Sequence, residues 1–203
     1  MVQVINQNRL LGFDIRKSMG SYGGEAWSPE RRSIYLLRED IEKPLSVDSA
    51  VWPVIASGSE NSQEETIQIY KHLDEAVSVY EMKEKQQMRG VIVAIEALND
   101  QISNEDDWYL LCEPASPDRL PGSWKFIGYD VADLFLLSGL SNCGYAKDEK
   151  PALQRQWKDC LNQYGLFSSL DDALPFCAST DERVSEHGPF KVYRISHSPD
   201  QLL

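Results

Sequence analysis

The chain has 203 residues, of which 42% are hydrophobic and 26% are charged, as is usual for a folded globular protein. Its 32 acidic residues outnumber its 20 basic residues, so the net charge is −12 at pH 7. A surface this acidic argues against binding to nucleic-acid phosphates or to anionic membranes. It is compatible with a basic protein partner, and solubility alone is the other explanation of the charge.

Location and cofactors are indicated by what the sequence lacks. The first residues, MVQVINQNRLLGF, do not form the basic start and apolar core of a secretory signal, and no apolar run has the length of a membrane span. The four cysteines contain no CxxC pair, and the three histidines have no metal-ligand spacing. We therefore expect a cytoplasmic protein with reduced thiols, no metal and no other cofactor.

The N-terminal half is predicted to contain short strands and one clear helix. Apolar runs predict strands at residues 10–15, 32–37, 51–56 and 91–97. Ser62-Gln63-Glu64-Glu65 matches a capping box, in which the serine hydroxyl accepts from an amide and the last glutamate reaches back. Apolar residues then recur every three or four positions until Gly90. This spacing predicts a helix over residues 62–87.

The middle of the chain combines a loop rich in proline with two further elements. Residues 114–121 contain three prolines and are a weak candidate boundary within a single domain of residues 1–203. Strands are predicted on either side, at residues 107–112 and 124–129, with a turn at Gly128. Asp130 then has the character of a helix N-cap, and the apolar residues 132–140 predict a short buried helix.

The C-terminal part is predicted to be mainly helical. Residues 153–164 have helical spacing, and Gly165 suits the left-handed position that ends a helix. A further helix is predicted from Ser169, with Pro175 expected to kink or break it. Residues 190–195 alternate as a strand. Clustered helices and scattered strands favour an α+β fold, a single domain with a mixed or antiparallel sheet flanked by helices.

Gly139-Leu140-Ser141-Asn142-Cys143-Gly144 comes within one residue of the G-x-S-x-G elbow of serine hydrolases. That elbow leads from a strand into a helix, whereas the residues before Gly139 predict a helix. A thiol nucleophile is the stronger catalytic alternative, with Cys143 attacking and His187 or His197 as its base. A small cysteine-dependent hydrolase or transferase using Cys143 and His187 is therefore the alternative function. A buried cysteine at a helix end fits the same residues.

A candidate binding surface lies between the two halves of the chain. Glu105, Asp106 and Asp107 stand beside the large ring of Trp108. Aromatic and charged residues together are typical of the sites that dominate protein–protein affinity. We therefore expect these four residues to contact the partner, although tryptophans are also common core residues.

Two stretches resemble a known class of small bacterial proteins. They are residues 124–145, which include WKFIGYDVAD and LSGLSNCGY, and residues 186–193, EHGPFKVY. They are similar to immunity proteins encoded beside polymorphic or contact-dependent toxins. The resemblance covers roughly the C-terminal half, contains no catalytic motif and transfers no functional residue. It implies a single-domain cytosolic protein, not an enzyme, that blocks a cognate toxin by direct binding. An acidic chain would suit a basic, nucleic-acid-attacking toxin.

Overall fold

The computed structural model describes residues 8–16, 69–85, 91–98, 120–133, 136, 138–141, 145, 149–186 and 188–198. The strands of these residues are β1 (Arg9–Arg16), β2 (Val91–Ala97), β3 (Lys125–Ala132) and β4 (Lys191–His197). Their α-helices are α1 (Leu73–Lys85), α2 (Glu149–Trp157) and α3 (Leu170–Arg183). An antiparallel sheet with helices packed against it confirms the α+β class. In the part of the chain that the structure describes, no helix combines the length and apolar character needed to cross a membrane.

The sheet has the order β1-β2-β4-β3, and each neighbouring pair is antiparallel. The last strand in the sequence, β4, therefore lies between two strands that precede it. Every residue of β2 is buried, which agrees with its continuous apolar run. The predicted strands at residues 10–15, 91–97 and 190–195 are all present: β2 has the predicted bounds, β1 is one residue longer at each end, and β4 begins one residue later and ends two residues later.

Both outer strands of this sheet contain a bulge at a glycine. The pairing register shifts at Gly12 in β1 and at Gly128 in β3, where the backbone has φ values of 158° and 148°. A Cβ atom at Gly128 would lie 2.7 Å from Cβ of Leu166, so no larger residue fits there. The predicted turn at Gly128 is therefore wrong: the strand continues through a bulge, which bends it.

Each outer strand is also covered by a short extended segment. Phe13 exchanges two backbone hydrogen bonds of 2.8 Å with Tyr70, and Tyr129 exchanges bonds of 2.9 and 2.8 Å with Phe167. The Asn162 side chain links the second segment to β3 by donating to the carbonyl of Ile127 at 2.6 Å. These contacts satisfy backbone groups that an uncovered edge strand would leave open.

Helix α1 begins later than its spacing predicts. Residues 69–72 are not helical, because Tyr70 is drawn into extended pairing with Phe13, and the helix starts at Leu73. The capping box at residues 62–65 lies outside the described residues. Ala76 is fully buried against the sheet, but Val77, which the spacing also assigned to the buried face, is 37% exposed.

The predicted helix N-cap at Asp130 and the helix over residues 132–140 are wrong. Strand β3 runs to Ala132, Asp130 lies within it, and the described residues beyond it form a 3-10 turn at Gly139–Ser141. An apolar run is typical of a buried strand as well as of a buried helix, and here the strand prevails. Ser141 is therefore not at a direct strand-to-helix turn as in a hydrolase elbow, because it lies in a 3-10 turn nine residues after the end of β3.

The C-terminal helices agree in part with the prediction. The helix expected over residues 153–164 ends at Trp157, followed by a 3-10 turn at Lys158–Cys160, because Leu161 turns into an extended bridge with Phe167. Gly165, with φ of 71°, lies in that loop rather than at a helix end. Ser169 caps α3 as predicted, and the helix passes through Pro175 without a break.

Candidate functional site

A cluster of charged side chains lies buried on one face of the sheet. Arg16 Nη1 donates to Asp130 Oδ2 at 2.6 Å, and Arg16 Nε donates to Asp14 Oδ2 at 3.3 Å. The hydroxyl of Ser138 donates to the same Asp130 oxygen at 2.7 Å. The residues are between 0% and 6% exposed. One arginine thus serves two carboxylates in a region sealed from solvent.

This cluster spans the width of the sheet. Arg16 belongs to β1 and Asp130 to β3, and two strands separate them in the sheet. In a flat sheet strands three places apart are separated by about 14 Å. The long side chain of Arg16 and the carboxylate of Asp130 bridge the outer strands through a 2.6 Å contact. The bulges at Gly12 and Gly128 supply bending in those same strands.

Burial dominates the electrostatics of Asp130. Desolvation raises the pKa of its carboxyl above the usual 3.8, although Arg16 and the hydroxyl of Ser138 both act to lower it. A carboxyl with a raised pKa can act as a general acid when substrate reaches it. Here its side chain is 3% exposed and its Oδ2 atom is already bonded twice. The cluster therefore holds the outer strands together rather than offering a reactive group at the surface.

The thiols that the structure describes are not activated. Burial raises the pKa of Cys177 to about 12, and its Sγ lies 3.2 Å from the carbonyl oxygen of Phe190, to which it donates. Burial, with the carboxylate of Asp172, also raises the pKa of Cys160. A thiol with a raised pKa is a poor nucleophile at neutral pH. The predicted nucleophile, Cys143, and its predicted base, His187, both lie outside the described residues.

His197, the other candidate base, lies at the end of β4. It is 9% exposed, and burial lowers the pKa of its imidazole below the usual 6.5. Its ring centroid is 6.4 Å from that of Tyr164. The strand thus holds a neutral imidazole at the sheet rather than beside a described thiol. Among the described residues, His, Cys, Asp and Glu side chains form no group of three or more that could hold a metal ion.

A second group of polar residues crosses β2, β4 and β3. Glu96 is opposite Arg194, which is opposite Tyr129, and Glu96 and Arg194 form an ion pair. The Arg194 guanidinium also lies 4.7 Å from the ring centroid of Phe126, a cation–π distance. Phe126 is 39% exposed. The Arg194 guanidinium thus contacts the Glu96 carboxylate and the Phe126 ring.

Exposed acids lie along the outer faces of α1 and α3. Asp74, Glu75 and Glu81 of α1 are exposed, as are Asp171 and Glu182 of α3. By contrast, the only basic residue of α3, Arg183, is bound by Glu149 at 3.3 Å and lies over the Tyr145 ring at 5.3 Å. The described side chains of α1 and α3 therefore present mainly negative charge to solvent.

The sequence-predicted binding residues Glu105, Asp106, Asp107 and Trp108 lie outside the described residues. The buried cluster was missed, because nothing local distinguishes Asp14 and Arg16 from exposed residues of a strand. The one available signal is their alternation with Phe13 and Ile15, which places both charges on one face. No protein-family model matches the chain, and no curated protein or solved structure matches it either.

Proposed function

We propose that this chain is a cytoplasmic immunity protein that neutralises a basic toxin by direct binding, without catalysis. The observation that carries the proposal is the placement of charge on the described helices. Exposed basic side chains such as Lys125, Arg155 and Lys158 lie on other elements, whereas acids occupy the outer faces of α1 and α3, and Arg183 of α3 is paired with Glu149. The net charge of −12 has the same sign. Such a field attracts a basic protein and speeds the encounter.

The resemblance to immunity proteins suggests that the partner is a toxin. The acidic charge of this chain suggests that the toxin is basic. A toxin domain that cleaves or modifies nucleic acid needs a basic surface to hold phosphates. An acidic blocker can cover that surface through complementary charge. The partner that we propose is therefore a basic toxin domain bound in a complex of one copy each.

Affinity capture and growth protection test this proposal together. The tagged full chain is used at low salt to capture binding proteins from cells of its source, and the captured chains are identified by mass. We expect one basic protein in equimolar amount. When that protein is expressed alone, viable counts should fall, and coexpression with this chain should restore them. A captured protein that is harmless on its own, or toxic but unrelieved by coexpression, contradicts the proposal.

Two substitutions separate binding from the alternative of cysteine-dependent catalysis. Cys143→Ser and His187→Ala should both leave growth protection unchanged, because binding needs neither a thiolate nor a base. Loss of protection in both variants, with unchanged unfolding midpoints, would favour the enzyme. Alkylation gives an independent measurement: a catalytic Cys143 should react faster than Cys160 and Cys177, whose pKa values are raised by burial.

On the basis of the sequence, we propose that residues 105–108 form part of the interface. Charge reversal by Asp106→Lys and Asp107→Lys should weaken binding of the captured toxin and reduce its sensitivity to salt, because charge attraction is screened as ionic strength rises. Unchanged affinity and unchanged salt dependence would remove this segment from the interface.

A further inference from the structure

We propose that the exposed face of α3 is a docking surface for a basic protein segment that carries an apolar side chain between cations. The residues of this surface, called the α3 face below, are Asp171, Leu174, Pro175, Ala178 and Glu182. The inference rests on the proposed function and adds to it a contact surface and the chemistry of the partner.

The α3 face is apolar at its centre and acidic at both ends. Its members follow at helical spacings of three and four, and each is exposed. Leu174 is 42% exposed, more than any other large hydrophobic residue that the structure describes. Single exposed leucines are ordinary on protein surfaces. Here Pro175 and Ala178 extend the apolar area, and a contiguous apolar patch rimmed by polar residues is typical of a protein contact.

The acid at the C-terminal end of the face does not serve the helix itself. Glu182 lies in the last turn of α3, where the partial negative charge of the helix end disfavours a carboxylate. Its neighbour Asp181 has a structural contact, since its carboxylate accepts the backbone N–H of Phe190 at 2.6 Å. Glu182 has an exposed side chain instead. A cation from a partner would offset the repulsion at this position.

Pro175 adds an acceptor at the other end of the face. Proline has no N–H, so the carbonyl of Asp171 does not receive the usual helical bond from the residue four positions on. The same residue contributes an exposed carboxylate. A lysine or arginine side chain can donate to this carboxylate, and it would lie beside Leu174. The acceptors and the apolar centre thus match a basic segment that contains an apolar side chain.

The test uses a defined probe and a matched pair of substitutions. The probe is a synthetic amphipathic helix of leucine and lysine, about five turns long, whose binding to the full chain is followed by fluorescence anisotropy. Leu174→Lys is compared with Val77→Lys, since Val77 of α1 is 37% exposed and also lies between acids, Asp74 and Glu81. Both substitutions change the net charge equally. Circular dichroism and the unfolding midpoint check that each variant is folded.

We expect Leu174→Lys to weaken binding of the peptide at least about fivefold, and Val77→Lys to weaken it less than about twofold. Replacing the leucines of the peptide with serine should cause a loss similar to that of Leu174→Lys. Equal losses in the two variants would show that only net charge matters and would overturn the α3 face. So would an absence of saturable binding to the unaltered chain. Growth protection is measured separately, so the immunity proposal can stand when this inference fails.

Discussion

At the scale of single residues, the buried charge cluster sets the strongest constraint. A buried charge is costly unless it is paired and hydrogen-bonded, and here Arg16 contacts Asp14 and Asp130 at once. The contact with Asp130 joins residues that are 114 positions apart in the sequence. It therefore links the geometry of the whole sheet to the ionisation of one carboxyl.

Asp130→Asn should show the effect of that ionisation on stability. Burial raises the pKa of Asp130, so between the usual 3.8 and this raised value the folded state binds more protons at the carboxyl than the unfolded state does. Ionisation as the pH rises through this window therefore opposes folding. Because asparagine cannot ionise, we expect the free-energy cost of Asp130→Asn to be greatest at pH 4 and smaller at pH 7. Urea unfolding across this range measures the cost.

The exposed Asp74→Asn is the control for this measurement, since it removes the same charge from the surface of α1. The free energies of unfolding of the two variants are compared at each pH, so that the general effect of removing one carboxylate is subtracted. A cost for Asp130→Asn that grows with rising pH would mean that Arg16 outweighs burial, and the direction of the pKa shift would then be wrong.

At the scale of secondary-structure elements, α3 is the helix that its local sequence specifies best. The Ser169 hydroxyl accepts the backbone N–H of Asp172 at 3.2 Å and donates to the Asp172 carboxylate at 2.6 Å. This cap satisfies one of the backbone donors that every helix start leaves open. It also fixes where the helix begins, and the starting residue determines which side chains face solvent.

Ser169→Ala should lower the free energy of unfolding by about 1 kcal/mol, the usual cost of losing a serine N-cap. Ser78→Ala is the matched control, because the Ser78 hydroxyl only donates to the carbonyl of Asp74 within exposed α1. Alanine favours a helix interior, so Ser78→Ala should be neutral or slightly stabilising. Chemical denaturation of both variants checks the difference, and equal effects would show that the cap contributes nothing.

The contrast between α3 and β3 shows what the sequence can predict. Ser169 and the apolar spacing after it act locally, so the start of α3 follows from a few residues. The run after Asp130 is apolar in a way that suits a buried strand or a buried helix. The contacts that decide between them come from Arg16 and from the pairing of β3 with β4, far away in the sequence. Local patterns contain no information about such partners.

In the candidate site, too, some features follow from the sequence alone and others depend on distant contacts. The acidic character of the surface could be read from composition, because charge counts do not depend on the fold. The α3 face could be predicted only in part, since the spacing identifies the buried side of a helix but Pro175 argued for a break. The cluster around Arg16 depends on the order of the strands in the sheet, which joins residues 114 positions apart in the sequence. The proposed segment Glu105–Trp108 stays a prediction.

At the scale of the whole molecule, the segments that cover the outer strands are expected to limit pairing of the sheet edge with another copy of the chain. The segment around Phe167 covers β3, and Asn162 holds it in place: its side-chain oxygen accepts from the backbone N–H groups of Tyr164 and Leu166, while its nitrogen donates to Ile127. An uncovered strand is a template for pairing with another chain. Asn162 is therefore placed to oppose self-association.

Asn162→Ala should loosen this segment and increase self-association. We expect the free energy of unfolding to fall by about 1–3 kcal/mol, because buried backbone groups lose their partners. We also expect light scattering to detect larger species at concentrations where the unaltered chain shows none. Gln163→Ala is the control, since residue 163 is exposed beside it. A variant that is destabilised but shows no added scattering would mean that the edge stays covered without Asn162.

The central position of β4 has a consequence for synthesis on the ribosome. Among the described strands, β3 pairs only with β4, and β2 has β4 on its second side. A growing chain that has not reached His197 therefore holds the β1–β2 pair and an unmatched β3. The described four-stranded sheet is therefore completed when residues 191–197 emerge and insert between strands made earlier. A ribosome that stops before this point leaves a nascent product without the architecture that would support binding.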